Sequence, residues 1–272
     1  MIKSDFHMHT RFSSDSDTPV EIMVERAIEI GLKTICFTDH NDRDFPLLSE
    51  SGEREFALDV DSYFNYMDGI RERYKGKIDV RIGVEIGMQA HLNDYYKKMA
   101  KSYPFDFIIG SMHLVNGQDP YYTSAFEGKT DSELYRDMFR QTLENVRINE
   151  SYDVLGHLDY IVRYGRAKDK EYSYAKFAEE IDAILKVLIQ KGKGMEVNTA
   201  GYKYGLPFCH PHPDVLRRYR QLGGEIVTIG ADGHRPEHIA YDFEKVSPLL
   251  KKCGFEYYAE FKHRKPIFKE LP

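Results

Sequence analysis

The chain has 272 residues, long enough for one barrel-sized domain of ~250 residues or two smaller ones, and long enough to bury a large core without staples. Hydrophobic residues make up 42% and charged residues 30%, which excludes disordered, collagenous and membrane classes. With 38 basic and 44 acidic side chains the net charge is −6, so no electrostatic grip on long nucleic acid or anionic lipid is expected.

The first apolar run, Ile2–Phe6, reads as a strand. Thr18-Pro19-Val20-Glu21 then reads as a capping box with proline at the first helical position. Val20, Met23, Val24, Ala27 and Ile28 line one face of that helix, and Gly31 sits where a C-terminal cap belongs. Strands are expected next at Thr34–Phe37, Val80–Val84, Phe105–Ile109, Val154–Leu155, Gly194–Val197 and Glu225–Ile229. Helices are expected at Asp61–Tyr74, Leu92–Ser102, Asp131–Asn149, Ala175–Lys191 and Asp214–Leu222. A late run, Phe255–Phe261, is an eighth or an edge strand. Alternation of this kind argues for an α/β fold with a parallel sheet. No linker or shift in composition divides residues 1–272, so a single domain is expected.

The residues that close each apolar run carry the chemistry. The first strand leads into Asp5, His7 and His9, the second into Asp39 and His40, the third into Glu85, the fourth into His113 and the fifth into His157. The sixth ends with Asn198, and the seventh with Asp232 and His234. In a parallel barrel these ends share one mouth, whereas an open sheet draws on fewer strands. Convergence from seven strands favours a TIM-like (β/α) barrel. His7 and His9 have the period-2 spacing that puts both side chains on one side of a strand, and Asp232 and His234 repeat it. Imidazole and carboxylate are the ligands of Zn²⁺, Mn²⁺ or Fe²⁺. His7, His9, Asp15, His40, Glu85, His113, His157, Asp232 and His234 would serve two or three ions, since a catalytic ion takes about three protein ligands.

Several residues admit plainer roles. Asp15 lies in the loop Ser13-Ser14-Asp15-Ser16-Asp17, where either acid could cap a helix. Asp5 is expected to orient a ligand histidine, and Asp39 either to do the same or to serve a turn. His210 and His212 form a proline-broken His-x-His in a loop, His91 starts a helix, and His238 and His263 lie in polar segments. Cys36 is expected in the core. Three scattered cysteines suggest a reducing, cytoplasmic setting, and MIKSDFHMHT has no apolar core of signal-peptide length.

Six ordered motifs, DFHMHT, FTDH, GVEIG, GSMH, VLGHLD and ADGH, together resemble the polymerase and histidinol phosphatase (PHP) family over Asp5 to His234. The resemblance implies a distorted seven-stranded (β/α) barrel with a trinuclear metal centre that hydrolyses phosphoesters. Within the family, HTRFSSDS, GHLDYIVRYG and EVNTAGYKYG look most like the monofunctional histidinol-phosphate phosphatases of histidine biosynthesis. Carried over by motif, His7, His9, Glu85 and Asp232 would hold one ion; the shared Glu85, His113 and His157 a second; Asp15, His40 and His234 a third. Many relatives have histidine where Asp15 stands. Arg163 matches an arginine that binds the substrate phosphate, and Lys203 stands where a second arginine is usual, keeping the charge but losing the bidentate fork.

The expected reaction is hydrolysis of a phosphate monoester by metal-activated water attacking phosphorus in line. Asp232 or His40 would protonate the leaving alkoxide. The expected partner is a small phosphate monoester, with no nucleic acid and no membrane. Leu114–Thr130, directly after His113, could form a lid or the wall around the imidazole end of the substrate. Three rivals remain at this level. An amidohydrolase also opens with His-x-His, but commonly uses a bridging lysine that this chain does not place there. A related phosphoesterase acting on nucleotides would share the metal site. A non-catalytic metal-bearing scaffold would have no use for Arg163.

Overall fold

The computed structural model describes residues 1–46 and 56–272. Its parallel strands are β1 (Ser4–Asp5), β2 (Thr34–Phe37), β3 (His40–Asn41), β4 (Asp79–Gly87), β5 (Phe107–Ser111), β6 (Val154–Leu155), β7 (Gly194–Asn198) and β8 (Val227–Gly230). They form one sheet in the order β1-β2-β4-β5-β6-β7-β8, with β3 continuing the line of β2 alongside β4. The two ends of the sheet meet. The Phe6 N–H donates to Ile229 O at 3.0 Å and the Asp232 N–H to His7 O at 2.8 Å, so the seven-stranded sheet is nearly closed into a barrel.

Helices α1 (Val20–Glu29), α2 (Val60–Arg73), α3 (Asn93–Ser102), α4 (Asp131–Ile148), α5 (Ala178–Gln190), the short α6 (Ala200–Lys203), α7 (Pro213–Gln221) and α8 (Val246–Lys252) occupy the connections. Their apolar stripes bury against the sheet; in α5 these are Ile181, Ile184, Leu185 and Leu188. Strands and helices therefore alternate as the periodicity predicts. Boundaries differ in one place that matters: β4 runs on to Gly87, so Glu85 stands inside a strand, directly across from His40 in register.

Two local expectations are corrected. The capping box at α1 does not form, because no side chain caps this helix. The Thr18 hydroxyl instead donates to His234 O at 2.9 Å, joined there by the Ser16 hydroxyl at 2.9 Å. A tertiary acceptor has outcompeted the local one. Gly31, at φ +78°, does end the helix as expected.

The late run Phe255–Phe261 is neither an eighth barrel strand nor an edge. Its strand β9 (Tyr257–Lys262) pairs antiparallel with β10 (Lys265–Glu270) in a separate hairpin. The turn places His263 and Arg264 at φ 49° and 63°, positions usually filled by Asn-Gly, which is why the sequence conceals it. Compensation comes from Asp106, whose carboxylate accepts the His263 N–H at 3.1 Å and whose carbonyl accepts the Arg264 N–H at 2.9 Å. The hairpin sends Ala259 and Phe261 into the barrel interior beside Phe6, Cys36, Phe107, Ile109 and Val154. Phe107 packs edge-to-face with Phe6 at 5.6 Å and tilted against Phe261 at 5.0 Å, ring centre to ring centre. This plug fills the interior below the strand ends that carry the histidines. Among the described residues no helix is long and apolar enough to cross a membrane.

Candidate metal centre

At the C-terminal ends of the barrel strands, Glu85 is the hub. Its side chain is fully buried, and its two oxygens face different partners. Oε1 accepts the Ser111 hydroxyl at 2.6 Å and lies 2.9 Å from His157 Nε2 and 3.2 Å from His113 Nε2. Oε2 lies 2.9 Å from His40 Nδ1, 3.3 Å from His7 Nε2 and 3.6 Å from His9 Nε2. A carboxylate with one ring set at each oxygen has the form of a bridging ligand.

The other residues close the ring. Asp232 Oδ1 lies 3.3 Å from His9 Nε2 and 3.7 Å from His7 Nε2. Asp15 Oδ2 lies 3.1 Å from His234 Nε2 and 3.6 Å from His40 Nε2. The His9 ring is stacked between those of His40 (4.2 Å) and His234 (4.1 Å). All nine residues expected to ligate therefore converge on one mouth. Asp232 reaches it with a left-handed backbone (φ 52°), a conformation that aspartate tolerates better than most residues and that recurs at functional sites.

Buried partners orient the rings. Glu196, on β7, accepts from His7 Nδ1 at 2.5 Å, which turns His7 Nε2 towards the cluster. Asp42 does the same for His113 Nδ1. The Ser13 hydroxyl donates to Asp39 at 2.7 Å and so accepts from His9 Nδ1 at 3.1 Å. Asp39 thus acts on His9 through Ser13, rather than serving only a turn. The result is that His7 Nε2 and His9 Nε2 face each other at 3.0 Å, both turned into the cluster. Gly230 makes the packing possible: a Cβ there would stand 2.3 Å from the His7 Cβ and 2.6 Å from Glu196 Oε1.

Asp5 corrects its expectation. It orients no ring; its carboxylate accepts the backbone N–H groups of His7 (3.2 Å), Ala231 (3.1 Å) and Ala240 (2.9 Å), stitching β1 to the segment after β8. His210 Nδ1 is paired with Asp159 at 2.6 Å, and His212 caps α7 by accepting the Asp214 N–H at 3.1 Å. His91 forms an exposed pair with Asp44 at 3.0 Å. Cys36 is buried in the core as expected.

Glu196 and Asp42 were not singled out by sequence reasoning, and His238 was read only as part of a polar segment. Glu196 alternates with Asn198 on one face of β7, an inward carboxylate in an otherwise apolar run, and that signal was available. Asp42 and His238 carry no such mark. His238 lines the cavity with a buried, unpartnered Nδ1.

The electrostatics call for cations. Burial opposes charge on every one of these groups. For His7 the carboxylates of Glu196, Glu85 and Asp232 outweigh burial and hold the imidazolium well above its ordinary range. His113 is likewise pulled down by burial but pushed up to about 10 by Asp42 and Glu85. Burial, with His234 and His40 beside it, drives His9 well below the ordinary value. Burial raises Glu85 and Asp232, yet the surrounding histidines, His7 foremost, hold both well below the usual carboxylate range. His40 Nδ1, Glu85 Oε2, Asp42 Oδ1 and His234 Nε2 are all buried without a hydrogen-bond partner. Buried, unpartnered nitrogens and oxygens gathered around ionised carboxylates are the donor set that divalent ions satisfy. The described residues accordingly contain overlapping groups able to hold an ion: His7, His9 and Glu85; Glu85, His113 and His157; His9, His40 and His234.

Above the cluster opens a cavity of about 850 Å³. Arg163 enters it with its guanidinium carbon 4.3, 4.9 and 4.1 Å from the ring centres of Tyr160, Tyr164 and Tyr204. Its Nη1 lies 3.7 Å from Asp232 Oδ2, and both Nε and Nη1 are buried without a hydrogen-bond acceptor. Lys203, also lining the cavity, donates to Asp232 O at 2.8 Å.

A parallel barrel with such a donor set at its mouth, and an arginine fork left open beside it, defines a metal-dependent enzyme of anionic substrates. Residues 5–200 match the PHP domain, and the chain belongs to that family. It is 34% identical over 263 residues to the histidinol-phosphatase of Lactococcus lactis, covering 96% of this chain and 95% of that protein. It is 32% identical to the probable histidinol-phosphatase of Clostridium acetobutylicum, covering 98% and 96%. The crystal structure of the L. lactis histidinol phosphate phosphatase complexed with zinc, L-histidinol and phosphate superposes with a TM-score of 0.88 at 33% identity, covering 97% of this chain and 98% of that one.

Proposed function

We propose that this protein is a metal-dependent phosphomonoesterase that hydrolyses L-histidinol phosphate to L-histidinol and phosphate, within histidine biosynthesis. What carries the reading is the meeting of the histidine–carboxylate cluster with the unsatisfied donors of Arg163 in one cavity. The substrate follows from the likeness to the L. lactis enzyme, whose structure holds zinc, L-histidinol and phosphate.

We assign three divalent ions to the site: the first on His7, His9, Glu85 and Asp232, the second on the shared Glu85 with His113 and His157, the third on Asp15, His40 and His234. Zinc, manganese and iron all suit this nitrogen and oxygen set. When bound, the ions neutralise the phosphoryl oxygens and lower the pKa of a coordinated water towards ~7, which lets an anionic ester accept a nucleophile at neutral pH.

The chain's own groups do the rest. Arg163 offers two parallel N–H donors to the phosphate, and the three tyrosines around it hold the fork in place. Lys203 adds a second positive charge on the same side. The proton required by the leaving alkoxide oxygen is assigned to Asp232 or His40, both of which line the cavity. Residues 1–272 act as one domain in this reading, since the C-terminal hairpin fills the barrel interior below the site. The three cysteines are buried free thiols, in keeping with a reducing, cytoplasmic setting.

Phosphate release from L-histidinol phosphate, nucleotides and sugar phosphates tests the proposal. Histidinol phosphate should be the preferred substrate, a chelator should abolish turnover, and added Zn²⁺ or Mn²⁺ should restore it. Full activity in metal-free protein, or a preference for nucleotides, would refute it.

A further inference from the structure

Asp159 stands at the head of the short 3₁₀ turn Tyr160–Arg163, the turn that carries the cavity's arginine. An aspartate in that position ordinarily caps its own turn by accepting a backbone N–H two or three residues on. Asp159 caps nothing locally. Its carboxylate is wholly buried and goes instead to a segment 51 to 53 positions away. Oδ1 accepts from His210 Nδ1 at 2.6 Å, and Oδ2 accepts the His212 backbone N–H at 2.7 Å.

His210 is itself pinned. Its ring is wholly buried, and its backbone exchanges hydrogen bonds of 2.7 and 2.8 Å with Asn198 at the end of β7. Nε2, the other ring nitrogen, is buried with no hydrogen-bond partner among the described residues, so Asp159 is the contact the ring serves. From Asn198 the chain runs through α6 to Lys203 and Tyr204. This stretch folds closely onto the segment before His210: a Cβ on Gly201 would stand 2.3 Å from Phe208 O. Tyr204 then covers Arg163 from across the cavity, its ring centre 4.1 Å from the guanidinium carbon, while Tyr160 and Tyr164 flank it from its own side. Arg163 is gripped from two sides, and the Asp159–His210 bond joins them. A buried ionic pair adds little net stability, because desolvation offsets its attraction. What it supplies here is one fixed geometry.

We infer that Asp159 and His210 form a buried clasp that positions Arg163, through the turn that carries it and the Tyr204 wall set against it. Neither residue lines the cavity, so both are positioning residues. The inference rests on the assignment of Arg163 to the substrate phosphate and deepens it: the arginine's donors are aimed by a bond on the far side of the turn. It also gives the His210-x-His212 motif a use other than metal binding, since the ring of one and the backbone of the other are the two donors to Asp159.

The test is the Kd of inorganic phosphate for the zinc-loaded protein, by isothermal titration calorimetry. Kd does not depend on the fraction of protein folded, so a loss of stability alone leaves it unchanged. Two substitutions separate the hydrogen bond from packing. His210→Phe keeps a ring and loses the donor; His210→Asn loses the ring and keeps an N–H donor in the place of Nδ1. Kd should rise about 3- to 30-fold in His210→Phe, the range for substitutions that act through a chain of contacts. In His210→Asn it should stay within about twofold of wild type. Asp159→Ala removes the acceptor from the other side, should raise Kd likewise, and stands in if His210→Phe does not fold. An unchanged Kd in these two variants, or a larger rise in His210→Asn than in His210→Phe, overturns the inference. Arg163→Met, measured alongside, reports on the assignment beneath it. If that variant binds phosphate as wild type does, the assignment of Arg163 fails instead, and hydrogen exchange over residues 159–164, read by mass spectrometry, judges the clasp. Exchange faster in His210→Phe than in wild type and His210→Asn upholds it, and equal exchange in all three overturns it.

Discussion

Replacing Glu196 by glutamine probes the chemistry of the centre without touching a proposed ligand. The carboxylate is 1% exposed and serves three donors: His7 Nδ1 at 2.5 Å on Oε1, and the His157 N–H (3.0 Å) and Asn198 Nδ2 (3.1 Å) on Oε2. Glutamine keeps the shape but has one acceptor oxygen. If that oxygen stays with the two donors, the amide N–H group faces His7 Nδ1, which must then become an acceptor. The His7 proton moves to Nε2, the atom proposed to ligate. If the amide is turned the other way, the N–H group meets the His157 and Asn198 donors head-on. Either way one charge-assisted bond is lost, worth about 1.5–3 kcal/mol. At about 1.4 kcal/mol per decade this is a 10- to 100-fold fall in metal affinity, the range found when ligand-orienting partners are removed. Competition titration of the apoprotein with Zn²⁺ against a chromophoric chelator measures it, with circular dichroism to show that the barrel is intact. A folded Glu196→Gln protein that binds zinc within about twofold of wild type would refute the argument, since that difference is no larger than the usual error of such comparisons.

Arg163→Met should lower kcat/KM for a phosphate monoester by about 10²- to 10³-fold, because two charge-assisted donors disappear from a desolvated site. Arg163→Lys should fall between, keeping charge without the fork; a variant as active as wild type in a steady-state assay would remove Arg163 from phosphate binding. Phe261→Ala should cost about 3–5 kcal/mol in urea denaturation, since Phe261 is 3% exposed and lies against Phe107 inside the barrel. A loss below about 1 kcal/mol, no more than an ordinary surface substitution, would mean that the hairpin does not plug the barrel.

The elements legible in the sequence were those encoded by neighbours. Period-2 and period-3.6 patterns are local, so the strands and helices fall close to their expected places, and Gly31 ends α1. Parallel strands share one end, so knowing that His7, His40, Glu85, His113, His157 and Asp232 each follow an apolar run already places them at one mouth. The metal ligands were readable for that reason.

What the tertiary structure alone decided are the pairings across the barrel. Glu196 meets His7 from 189 positions away, and Asp42 meets His113 from 71. Thr18 abandons a local cap for the carbonyl of His234, 216 positions on. The hairpin turn at His263 and Arg264 is held by Asp106 rather than by residues suited to it. Each is a choice between a nearby and a distant partner. The sequence marks the nearby partner by spacing, but the distant one exists only once the sheet has closed, and there burial makes an unpaired charge costlier than a lost local bond.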